Sequence, residues 1–165
     1  MPFIRPEQSA DIAAIRLVIE QAFGQPAEAN LVDNLRANGK AIVSLVAVEN
    51  DQIVGHVLFS EATIDAVTII GLAPLAVLPS HQKQGIGTLL TNAGIEACRN
   101  TGYTAMIVLG HPEYYPRFGF MPASRFGIKS EYDVPDEVFM AMELQTGALS
   151  GCAGVAKYQP EFSEV

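Results

Sequence analysis

The stretch PLAVLPSHQKQGIGTLL, residues 74–90, restricts the fold more than any other part of the chain. An apolar run stops at a proline, a short polar patch follows, and Gly85 and Gly87 lead into a segment with helical periodicity. A strand that ends in a glycine-rich turn and opens a helix leaves several backbone N–H groups without intrahelical partners, directed into one small space. The helix macrodipole adds about half a positive charge there, so a phosphate or pyrophosphate is the natural guest. Glycine at 85 and 87 lets such a ligand approach the main chain where a Cβ would obstruct it.

The rest of the chain supplies the elements around this turn. PFIR predicts a short strand, and PEQSADIAAIRLVIEQAF places Ile12, Ile15, Leu17, Val18, Ile19, Ala22 and Phe23 at helical spacing behind Ser9 as N-cap. PAEANLVDNLRANG predicts a second helix that ends on Gly39. IVSLVAVEN, the turn ND and QIVGHVLFSEATI predict a hairpin, and AVTIIGLAPLAVLP a third strand buried on both faces. In residues 84–100, Ile86, Leu89, Leu90, Ala93 and Ala97 form one helical stripe. YTAMIVLG is a buried strand, HPEYYPRFGF a turn or short helix, and EVFMAMEL a last strand. The tail from Gln145 onward either packs as a strand or runs over the surface. The order β-α-α-β-β-β-α-β-α-β implies a mixed sheet with helices on both faces.

Composition narrows the function classes. A chain of 165 residues with 49% hydrophobic and 17% charged residues is expected to build one core, a domain over 1–145 with 146–165 as a tail on it. The net charge of −8 and the absence of any Lys/Arg run exclude a general nucleic-acid surface and suit a cationic partner. The longest apolar region, residues 66–79, is broken by Thr68, Gly71 and Pro74, so no membrane span is expected. Two cysteines, Cys98 and Cys152, are too few for a disulfide framework or a four-ligand zinc site. A cytoplasmic, metal-free protein is the expectation.

Three phosphate-binding turns are distinguishable. A nucleoside-triphosphate loop needs GxxxxGK[ST], and no Lys-Ser or Lys-Thr stands at that place. A dinucleotide fingerprint needs a third glycine where Leu90 stands. What remains is [QR]xxGx[GA], met by Gln82, Gly85 and Gly87. Together with LAPLAVLP before it and YYPRFGF after the next strand, a Yxxx-Gly-Phe signature, this resembles the GNAT superfamily of N-acetyltransferases, over roughly residues 3–145.

The resemblance implies a GNAT-like α/β (α+β) fold, with a mixed, mostly antiparallel central sheet of about six to seven strands. It implies acetyl-CoA as co-substrate, its pyrophosphate on main-chain N–H groups of Gln82, Lys83, Gln84, Gly85, Ile86, Gly87 and Thr88. The pantetheine arm would lie along Leu75, Ala76 and Val77 like an extra strand, satisfying backbone groups left open there.

Transfer of acetyl to an amine needs a neutral amine, a polarised carbonyl and a proton for the departing thiolate. By its motif position Tyr115 aligns with the family's general acid; Tyr114 is the alternative, and simple packing is open to either. A strand N–H, of Val77 or Ala76, would polarise the carbonyl. Family members with a catalytic glutamate carry it on the third strand, where this chain has Ile69, Ile70, Gly71 and Leu72. That leaves Glu61, Glu113 or an ordered water chain as base.

Other polar residues have plainer readings: His81 a solvated loop residue or phosphate neighbour, His111 a pocket residue or a turn hydrogen bond, His56 a satisfied or rim histidine. Cys98, Phe118 and Phe120 read as core, Arg117 as partly exposed, and Lys83 is better placed to meet coenzyme A phosphates. The acceptor is a small-molecule or protein amine, and a homodimer is allowed without being specified. The rival readings are a non-catalytic acyl-CoA-binding module and a transferase for another acyl group.

Overall fold

A computed structural model describes residues 2–165, the side chain of Glu164 excepted; Met1 lies outside the described residues. Three helices form, α1 (Ile12–Phe23), α2 (Ala27–Ala37) and α3 (Ile86–Asn100). The strands are β1 (Phe3–Pro6), β2 (Val43–Glu49), β3 (Gln52–Ile64), β4 (Val67–Val77), β5 (Ala105–Leu109), β6 (Met121–Pro122), β7 (Ile128–Ser130), β8 (Phe139–Glu143) and β9 (Gly154–Lys157). Their hydrogen-bonded order is β1-β2-β3-β4-β5-β8-β6, with β9 joined to β3 and β7. β4·β5 and β7·β9 are parallel, and β1·β2, β2·β3, β3·β9, β5·β8 and β6·β8 antiparallel. This is the mixed sheet that the element order predicts, mostly antiparallel as the resemblance implies, and it holds nine strands among the described residues. By contacts the chain divides into two compact units.

The first unit comprises residues 2–59, 74–97 and 160–165. Asn50 and Asp51 turn the β2–β3 hairpin with φ of 51° and 61°, the mirror-image geometry that suits the twist of the flanking strands. α1 buries Ile15, Val18 and Ile19, whereas Leu17 is 54% and Phe23 40% exposed, a narrower stripe than the spacing predicts. Its entry is held by Asp11 rather than Ser9: the carboxylate accepts the Gln8 N–H at 2.7 Å and both Arg5 guanidinium nitrogens at 2.7 and 3.1 Å. α2 closes as predicted, through Gly39 at φ 71°.

α3 approaches β3 closely because two glycines leave room. A Cβ at Gly55 would stand 2.9 Å from Leu90 Cδ1 and 3.2 Å from Ile86 Cγ2, and one at Gly94 would collide with the buried ring of Phe59. Ile86 and Leu90 thus anchor the first turns of α3, while Leu89, predicted on the same stripe, is 41% exposed.

The second unit comprises residues 60–73 and 98–159. Its core gathers Ile64, Ile69, Ile107, Phe139 and Ala156, with Phe126 and Tyr158 packed against it. Ile69, Ile70, Gly71 and Leu72 are all buried, as a strand covered on both faces requires. Ile70, Gly71 and Leu72 pair in parallel with Met106, Ile107 and Val108. The tail is part of the sheet: Ala156 and Lys157 of β9 pair with Ile64 and Thr63 of β3. Among the described residues no helix is long and apolar enough to cross a membrane.

Candidate active site

The glycine turn is built within the first unit. Along the end of β4, Leu75 and Val77 are half-buried while Ala76 is buried, and the Leu78 N–H donates to Val54 O at 2.9 Å. A 3₁₀ turn, Pro79–His81, follows. The Gln82 side-chain amide then donates back to Val77 O at 3.1 Å, bracing the loop against the strand it leaves. Lys83 and Gly85 both take positive φ, 64° and 86°. Residues 82–85 are exposed, and nothing lies within 4 Å of a Cβ built on Gly85, so open space faces the main chain there. The Leu89 N–H donates to Gly85 O at 3.0 Å, which makes Ile86 and Gly87 the opening residues of α3, ahead of its first intrahelical bond. Gln82 to Thr88 are therefore brought together in one turn at a helix N-terminus, suited to an anion.

His81 does not turn its ring to that space. Its Nε2 is 3.3 Å from Glu49 Oε2 and its Nδ1 2.8 Å from Ser80 Oγ. Lys83 is exposed. The brace made by Gln82 was not readable in advance, because the motif says which residue type recurs and not which atom it holds.

Tyr115 belongs to the second unit. It opens a 3₁₀ turn, Tyr115–Phe118, and is 7% exposed. Its ring meets Tyr114 edge-on at 5.1 Å and Phe120 at 5.8 Å, and fills the space beside Gly110 where a Cβ would collide with it. Burial, with the neighbouring Tyr114 charge, pushes its phenol up to about 12, so it is protonated at neutral pH. Tyr114 is half-buried and carries the Arg117 guanidinium 4.4 Å over its ring. Arg117 Nε also donates to Tyr114 O at 2.9 Å, which ties this arginine to the turn. His111 is exposed, and its carbonyl accepts the Tyr114 and Tyr115 N–H groups at 3.1 and 3.3 Å.

The base candidates fare differently. Glu61 accepts the Tyr103 hydroxyl at 2.6 Å, and burial together with this carboxylate raises the Tyr103 phenol. Glu113 is exposed. His56 is not at a rim but fully buried: its Nε2 is 2.8 Å from Ser44 Oγ, which donates to Glu7 at 2.7 Å, and its Nδ1 meets no partner among the described residues. Cys98 is fully buried and its thiol is pushed up to about 12 by that burial, which makes it inert.

The Acetyltransferase (GNAT) family model matches residues 12–120, a span holding both the turn and Tyr115. YhbS of Escherichia coli K12, named an uncharacterized N-acetyltransferase, is 32% identical over 163 residues, 97% of this chain and 98% of YhbS. YjhQ of the same strain, named likewise, is 42% identical over 135 residues, 78% of this chain and 75% of YjhQ. The crystal structure of E. coli YhbS in complex with CoA matches with a TM-score of 0.94 at 32% identity, covering 98% of this chain and 92% of that one. A GNAT family acetyltransferase from Brucella melitensis in complex with acetyl-CoA matches with a TM-score of 0.83 at 32% identity, covering 98% of each. With the signature turn and the tyrosine turn both inside the matched span, the chain belongs to the GNAT acetyltransferase family.

Proposed function

We propose that this protein transfers the acetyl group of acetyl-CoA directly to an amine, with Tyr115 as general acid. The observation that carries the reading is the exposed main-chain turn Gln82–Thr88 opening α3. The CoA bound to YhbS and the acetyl-CoA bound to the Brucella enzyme support it. In this reading the pyrophosphate takes the N–H groups of the turn, and pantetheine pairs with Leu75, Ala76 and Val77. A strand N–H, of Ala76 or Val77, polarises the thioester carbonyl. The amine attacks the carbonyl carbon, the tetrahedral intermediate collapses with cleavage of the C–S bond, and the thiolate takes the proton of Tyr115.

A phenol near 12 is matched to this task only if the thiol is raised too. Desolvation does this to thiols, as the Cys98 thiol at about 12 illustrates in this same chain. Glu61 Oε2 already accepts the Tyr103 hydroxyl and Glu113 is exposed, which favours water as the acceptor of the amine's proton, and an amine of low pKa needs nothing stronger. The acceptor is a small-molecule or protein amine.

The test is a thermal shift with millimolar acetyl-CoA, followed by an amine panel read by release of free CoA thiol. A clear shift and turnover are expected, with Tyr115→Phe lowering kcat at least about ten-fold at an unchanged shift. No shift removes the reading. A shift with no turnover across the panel assigns the chain to acyl-CoA binding without catalysis. Equal activity in Tyr115→Phe removes that residue from its role.

A further inference from the structure

The end of β4 has one edge without a neighbour. Pairing between β4 and β5 stops at Leu72 and Val108, whereas β4 runs on to Val77. Pro74, just past the last pair, brings no N–H. Along Leu75–Val77 the edge of β4 turned away from β3 therefore has no strand on it among the described residues.

Two peptide units decide what that edge presents. A peptide unit is planar and trans, so its C=O and N–H point in opposite directions. The Leu78 N–H donates to Val54 O of β3 at 2.9 Å, which turns the other end of the same unit, the Val77 C=O, to the open edge. One unit earlier, the Ala76 oxygen is directed at β3, 3.3 Å from the Cβ position of Gly55. The Val77 N–H, at the other end of that unit, faces the open edge as well. By the alternation of a strand the Ala76 N–H is turned to β3, so of these two N–H groups it is Val77 that meets a ligand on the open edge.

The Val77 C=O already has a donor. Gln82, five residues on, gives it a side-chain N–H at 3.1 Å. That bond ties the first residue of the glycine turn to the last residue of the strand. It holds the 77–78 unit from the open side while Val54 holds it from the other. A strand edge ordinarily offers a donor and an acceptor at each outward residue. With its carbonyl taken, Val77 offers a donor alone, and the atom that fits opposite it is an acceptor: a carbonyl oxygen of the acetyl-pantetheine arm. Without the Gln82 amide, the Val77 oxygen would confront that oxygen as a second acceptor with no proton between them.

We infer that Gln82 is a positioning residue of the cofactor site, acting through Val77: its side-chain amide holds and occupies the Val77 C=O, so that the strand presents only the Val77 N–H to a carbonyl oxygen of acetyl-CoA. The inference rests on the acetyl-CoA reading above and adds to it a task for a side chain where that reading uses the main chain of the turn. Gln82 is exposed, so this bond adds little to the stability of the unliganded fold.

Gln82→Met tests this, because it keeps the length of the side chain and removes the donor. Three readouts on the full chain decide: calorimetric titration with acetyl-CoA and with CoA, the unliganded melting temperature, and the ¹⁵N–¹H resonance of Val77 with and without saturating acetyl-CoA. The expected result is an acetyl-CoA dissociation constant raised by about ten-fold, the worth of one hydrogen bond, at a melting temperature close to that of the wild type. The Val77 resonance is expected to move on binding in the wild type and to move less at saturation in the variant. A rise confined to acetyl-CoA assigns the oxygen opposite Val77 to the thioester, and an equal rise for CoA assigns it to a pantetheine amide; either supports the inference. An unchanged constant for acetyl-CoA overturns it. So does a raised constant with the full wild-type displacement of Val77 at saturation, the mark of a brace for the turn alone, or a wild-type Val77 resonance that bound acetyl-CoA leaves in place. If the wild type does not bind acetyl-CoA, the reading beneath it fails and takes the inference with it.

Discussion

Gly94 shows what a missing side chain can hold. A Cβ built on it would collide with the ring of Phe59, which is fully buried. Alanine at 94 would raise helix propensity by roughly 1 kcal/mol, but forcing a methyl into a packed interior costs about 1–3 kcal/mol, and the second effect wins. Gly94→Ala is therefore expected to lower the urea midpoint with an unchanged slope, and to leave turnover intact in the folded fraction. A midpoint equal to wild type would mean that the ring yields. The sequence does not disclose this pair, nor Gly71, where a Cβ would meet the Tyr158 ring, nor Gly110 with Tyr115. Periodicity reports which side chains point inward, and a glycine has none to report. The motif position favours Tyr115 over Tyr114 as the proposed acid; the ring stack and the glycine that seat Tyr115 left no sign in the sequence.

At the scale of elements, strand, turn and α3 were readable from residues 74–90 because a tight turn from a buried strand into a helix leaves a trace in glycine spacing. The strain inside the turn leaves none. Lys83 adopts φ 64° without being glycine, and Gly85 adopts φ 86° in open space, so glycine at 85 answers a conformational demand even before any ligand arrives. A Cβ there carries a left-handed penalty of about 1 kcal/mol with no clash to add to it. Gly85→Ala should thus lower the unliganded melting temperature by only a few degrees. Its larger effect is on the ligand: the main chain relaxes from the geometry that presents its amides, and the acetyl-CoA dissociation constant rises by about ten-fold, measured by titration calorimetry. An unchanged constant would mean that the pyrophosphate does not seat on this turn. Capping shows the same limit on legibility. Ser9 had the right composition for an N-cap, yet it opens a 3₁₀ turn, Ser9–Asp11, whose third residue Asp11, gripped by both Arg5 nitrogens, accepts the Gln8 N–H and makes no side-chain cap to α1.

For the molecule as a whole, the acid side of the stability curve is set by a histidine that the sequence left between a satisfied and a rim position. His56 is fully buried, and burial, reinforced by Arg36 and opposed by Glu7, lowers it from 6.5 to about 4. Its folded pKa is the lower one, so the unfolded chain binds the proton first. Stability is unaffected by this group above pH 6.5 and is lost as pH falls from there toward 4, by about 3 kcal/mol at 1.36 kcal/mol per unit. Two carboxylates add to the loss only at lower pH. Asp11, lowered first by its bond from Arg5, and Glu7, lowered by Arg36 and Ser44 against its own desolvation, contribute stability above their unfolded values of 3.8 and 4.5 and lose it on protonation in the fold. The opposing effect is the net charge of −8, whose self-repulsion eases as pH falls toward the sequence pI of about 4.7. Salt at about 0.15 M screens that repulsion over roughly 8 Å and leaves the buried histidine almost untouched. Urea midpoints taken between pH 7 and 4.5 in such salt should therefore fall steadily for the wild type. For His56→Gln the same series should run nearly flat from pH 7 to 5, whatever its absolute stability, because the group that titrates only in the unfolded chain is gone. A variant that keeps the wild-type slope would place the acid sensitivity elsewhere.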